Sequence, residues 1–77
     1  MTKQIDRQLV HSLLRMVADA IIESVAVAGK QGAPGGSLYA ALMTHGFTYE
    51  QFEQIMSGLV KTGKLEKRGQ LYFVGSN

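Results

Sequence analysis

The chain has no cysteine, no tryptophan, one proline and little aromatic content. Without cysteine no disulfide can brace the fold and no thiolate can bind a metal. That composition suits a reducing compartment. A bilayer-spanning run is missing too. The longest uncharged stretch, residues 31–49, holds glycines, the proline and several polar residues, so it cannot cross a membrane as a helix. The opening MTKQIDRQLV, with charges continuing at Arg15 and Asp19, lacks the apolar core of a signal peptide. The expectation is a cytoplasmic protein. His11 and His45 have no ligand-type partner at metal spacing, and no nucleophile, base and orienting group can be assembled. The expectation is therefore no enzyme, no cofactor and no metal.

What is present fits one small domain, residues 1–77. At 77 residues folding buries only about 60% of the unfolded surface, so the core is thin. Formal net charge is +2, unevenly spread. Residues 1–28 balance to zero, residues 47–60 carry Glu50 and Glu53, and residues 61–77 carry Lys61, Lys64, Lys67 and Arg68 against Glu66. The basic charge lies toward the C-terminal end.

Residues 3–28 contain neither glycine nor proline and predict one long helix. At ~100° per residue, Leu9, Val10, Leu13, Leu14, Val17, Ala20, Ile21 and Val25 share one side. With Met16, Ala18 and Val27 at its margins the apolar arc spans roughly 200°, twice what a one-sided surface helix needs. Ile5 and Ile22 fall outside even that arc. Excess apolar surface of this kind predicts a homodimer through the helix, packed antiparallel, with Ile5, Leu9, Leu13, Met16 and Ile22 at the interface. Met16, Met43 and Met56 read as core positions, and Tyr39 and Tyr49 as half-buried rings.

Gly29 suits the helix C-terminus. The stretch 29–36, GKQGAPGG, predicts an exposed, mobile loop, and it lacks the lysine of a phosphate-binding loop. Ser37 is the expected N-cap of a second helix, closed by Gly46. Thr48 and Gln51 have capping-box spacing for a third, with Phe47 and Phe52 spaced as a hydrophobic staple. Gly63 ends that helix. Residues 64–74 predict a hairpin turning at Lys67-Arg68-Gly69-Gln70.

The run from Ser37 to Val74 resembles the winged-helix superfamily. A short helix and tight turn precede a capped helix ending in Leu59-Val60-Lys61-Thr62-Gly63-Lys64-Leu65, and a charged hairpin follows with Tyr72 and Phe73. The chain also looks like small uncharacterised proteins of bacterial phages and plasmids. The resemblance implies an α+β, mostly α fold: a winged helix with a long N-terminal helix, two shorter helices and a C-terminal hairpin wing. In DNA-binding members the third helix enters the major groove and the wing meets the backbone; other members serve as protein-docking modules.

On the third helix the outward line is Glu50, Gln54, Ser57 and Lys61. Gln54 has the chemistry to read an adenine edge, and Ser57 is permissive. Lys61, Lys64, Lys67 and Arg68 have the chemistry to neutralise phosphates, although basic residues also protect hairpin edges. Glu50 and Glu53 suit the dipole of a helix start and oppose phosphate. The expected function is a non-catalytic binder of double-stranded DNA, a regulator or accessory factor of a bacterium or mobile element. The alternative is a protein–protein interaction module on the same scaffold.

Overall fold

The apolar periodicity of the first segment does produce a long helix, α1, over Arg7–Ala28. The computed structural model describes the backbone of residues 7–75 and the side chains of residues 11–75. The expected start near residue 3, Ile5 and the Leu9 side chain lie outside the described residues. Beyond α1 come a 3-10 turn (Gly29–Gln31), β1 (Ala33–Pro34), α2 (Gly35–Met43), α3 (Tyr49–Lys61), β2 (Leu65–Arg68) and β3 (Leu71–Val74). The three strands form one antiparallel sheet in the order β1-β3-β2. The fold is α+β and mostly helical, with a long first helix, two shorter helices and a C-terminal hairpin. That arrangement is consistent with a winged helix.

The loop 29–36 is exposed in part, at Gly29, Lys30, Gln31, Pro34 and Gly36, but it is not the plain linker its glycines suggest. Ala33 and Pro34 pair with Tyr72 and Leu71, and Ala33 is buried. Gly32 has φ +80, and a Cβ there would sit 2.7 Å from the Phe73 ring. Glycine is needed at Gly32 both for its conformation and for its missing side chain. The same ordering moves the start of α2. Its N-cap is Pro34, which offers no side-chain cap. The start of α2 is held instead by Gly35 N–H donating to the Gln70 carbonyl at 2.9 Å. Ser37 lies inside the helix and does not cap it.

α3 begins where Thr48 and Gln51 direct it. The Gln51 amide donates to Thr48 Oγ1 at 3.1 Å, and the Thr48 amide donates to Gln51 Oε1 at 2.9 Å. Both bonds of the capping box are present. Phe52 enters the core, whereas Phe47 lies half-buried beside α1 and α2. The hairpin turns through Gly69 at φ +62 while Gln70 stays at negative φ, the glycine-first pattern of a type II′ turn.

The core gathers Ile21 and Val25 of α1, Ala33, Leu38, Phe52, Met56, Leu59, Leu65 and Tyr72. Among the described residues, α1 contributes from Val17 onward. Ile22, expected on the outside, is half-buried and packs against this core, because β1 and β3 pack on that part of the helix and cover more than one stripe. Met56 is a core residue, but Met16 and Met43 are 66% and 52% exposed. Residues 11–16 are all exposed, Leu13 and Leu14 among them.

Candidate nucleic-acid interface

The amphipathic pattern of α3 decides which of its residues face out. With Phe52, Met56 and Leu59 inward, Glu50, Gln54, Ser57 and Lys61 are left exposed. The helix runs into β2 through Thr62, whose hydroxyl donates to the Gly58 carbonyl at 3.0 Å. This short connection brings the hairpin alongside the C-terminal half of α3.

Between them lies an open groove of about 330 Å³ lined by Glu53, Met56, Ser57, Val60, Lys61, Lys67 and Tyr72. Three of the six expected site residues, Ser57, Lys61 and Lys67, therefore meet on one face. Gln54 is exposed on the same helix without lining the groove, and Lys64 is exposed on the approach to β2. Lys67 extends its ammonium over buried Tyr72, with Nζ 5.7 Å from the ring centroid, a weak cation–π contact that aims the side chain along the groove.

Arg68 does not belong to this group. Successive strand residues point to opposite faces, and Arg68 lines a separate depression with Lys30, Val25 and Phe73. Its guanidinium donates to Glu66 Oε1 at 2.9 Å and sits 4.5 Å from the Phe73 ring centroid. The period-two alternation of a strand is a signal in the sequence that would have separated Lys67 from Arg68. Lys30, absent from the expected set, is the residue that joins Arg68 on its face.

No protein-family model, no curated protein and no solved structure matches this chain. The site is therefore read from its own groups. A second depression beside the groove brings Tyr39, Tyr49, Phe52, Glu53, Lys67 and Gln70 together. The Tyr39 and Tyr49 rings meet edge to face at 5.2 Å. Tyr49 is 56% exposed, more open than the half-buried ring expected. The Glu53 carboxylate, as hydrogen-bond acceptor and then as a charge, holds the Tyr49 phenol above its ordinary pKa. Glu53 thus places a negative group at the head of a groove whose far end is cationic. Among the described residues no three His, Asp or Glu side chains come together as a metal site.

Proposed function

We propose that this chain is a non-catalytic DNA-binding protein of the winged-helix kind, a small cytoplasmic regulator or accessory factor. The observation that carries the reading is the convergence of Ser57 and Lys61 of α3 with Lys67 of the hairpin on one open groove. α3 would lie against the duplex with Gln54 and Ser57 toward base edges, and Lys61, Lys64 and Lys67 would neutralise flanking phosphates. Arg68 contributes less, since Glu66 already holds its guanidinium. Glu50 and Glu53 lie on the helix's N-terminal half, so the approach is from its C-terminal end, where Lys61 stands and Lys64 and Lys67 follow in the chain. The rival reading, a protein-docking module, is favoured by the exposed Leu13, Leu14 and Met16 of α1.

Fluorescence anisotropy with random duplex DNA tests the proposal. The expected result is binding at ~50 mM salt that weakens with a log–log slope near −3, about three phosphates neutralised. Absence of binding at that salt removes the DNA reading and leaves the docking module.

A further inference from the structure

We infer that the depression walled by Tyr39, Tyr49, Glu53, Lys67 and Gln70 takes one unpaired, amino-bearing base of DNA; this rests on the DNA-binding reading and narrows its substrate to a duplex interrupted by an unpaired nucleotide. Tyr49 supplies an open ring with a braced back. It is 56% exposed, yet its ring centroid lies 5.2 Å from that of Tyr39 and 6.1 Å from that of Phe52. Tyr39 in turn lies 5.4 Å from Phe52, which is buried in the core. Aromatic pairs at such separations attract one another. Tyr49 is therefore held against its own domain while it presents ring to the outside. A base inside an intact duplex has both faces covered by its neighbours. An unpaired base has a face to stack, and aromatic side chains take it.

The polar groups of the depression select the guest. Among the described residues it is lined by one carboxylate, Glu53, one ammonium, Lys67, and the Gln70 amide. The ammonium, already 5.7 Å from the Tyr72 ring centroid, repels a cationic guest such as a lysine side chain. The carboxylate repels a bare phosphate. A flat, neutral heterocycle joined to a phosphate suits both charges. Glu53 is an acceptor for the amino group of cytosine or adenine and opposes the O4 acceptor of thymine. The carboxylate that works against a phosphate thus has a partner in a base edge. Position supports the same guest. The depression encloses about 360 Å³, within the range of small-ligand sites, about 300–1,000 Å³. On its α2 side Gly35 and Gly36 leave it without side chains. It shares Glu53, Lys67 and Tyr72 with the groove that carries Ser57 and Lys61. A strand whose phosphates run past Lys61 and Lys67 therefore passes the depression, and one nucleotide turned out of that strand meets Tyr49.

Anisotropy of the full chain at ~50 mM salt tests this with four dye-labelled DNAs: a fully paired duplex, and the same duplex carrying one extra cytosine, thymine or abasic sugar at its centre. The abasic bulge loosens the duplex without offering a base. The cytosine bulge should bind about tenfold tighter than the abasic one, in the range for one base on one aromatic ring, and tighter than the thymine bulge. That comparison uses the unaltered chain, so it stands whether or not a variant folds. Tyr49→Ala should bring the cytosine-to-abasic ratio down to about twofold or less, and Tyr49→Phe should keep it near tenfold. Glu53→Gln, whose amide donates as well as accepts, should narrow the cytosine-to-thymine ratio. Equal binding of the cytosine and abasic bulges, with the paired duplex still bound, overturns the inference and leaves the DNA-binding reading standing. Failure to bind any of the four overturns both. A cytosine preference that survives Tyr49→Ala overturns this depression as the site, and thymine bound as tightly as cytosine overturns the part given to Glu53.

Discussion

At one end of the molecule the sheet packs on the second half of α1; at the other, among the described residues, positions 11–16 of α1 are all exposed. Both halves are rich in branched aliphatic residues, and hydropathy alone does not separate them. Ile21 is 4% exposed and Val25 fully buried, while Leu13 and Leu14, about two turns before Ile21, stay about half open. The same residue type therefore contributes to the core at one end and to exposed apolar surface at the other. What differs is whether the rest of the chain reaches that turn of helix.

The largest test of this contrast is Ile21→Ala. Removing a buried aliphatic side chain should cost about 2–5 kcal/mol, much of what a domain this small possesses, and denaturant unfolding should show it. Next is Thr48→Ala, which takes the acceptor from the Gln51 amide at the closed end. About 1 kcal/mol should be lost, a fall of roughly 4–8 °C in Tm for a domain of this size; an unmoved Tm would mean α3 does not depend on its cap. Lys67→Ala and Arg68→Ala sharpen the comparison at the hairpin, where neighbours point to opposite faces. The first should lower the salt dependence of DNA binding by about one phosphate and the second by clearly less. Equal losses would show that the wing tip acts as a whole. Smallest is Leu13→Ala, expected to change the unfolding free energy of the dilute chain by no more than about 0.5 kcal/mol. A loss near that of Ile21→Ala would mean the projecting half is packed after all.

Local chemistry explains what the sequence made legible. Thr48 and Gln51 spell the start of α3 because both bonds of the cap lie within four residues. Gly69 spells the hairpin turn because its φ is positive. β1 was hidden because two residues, Ala33 and Pro34, have no alternation to show; they become a strand only by register with Tyr72 and Leu71. The start of α2 was hidden for the same reason, since the Gln70 carbonyl fixes it from the far end of the chain. At the candidate site the exposed residues of α3 follow from its periodicity. The division of the basic cluster does not follow from charge counting, because strand geometry and the Glu66 pair decide which cations share a groove.

The sheet order carries a consequence for synthesis on the ribosome. β3 is the central strand, yet it follows in sequence every element it joins. Until residues 71–74 emerge, β1 has no partner, and α1 lacks the strand that packs on its second half. The nascent chain therefore leaves that part of α1 without its sheet until β3 has emerged. Slowing the ribosome within the first sixty residues would prolong that exposure, and aggregation at this stage grows with the time spent open.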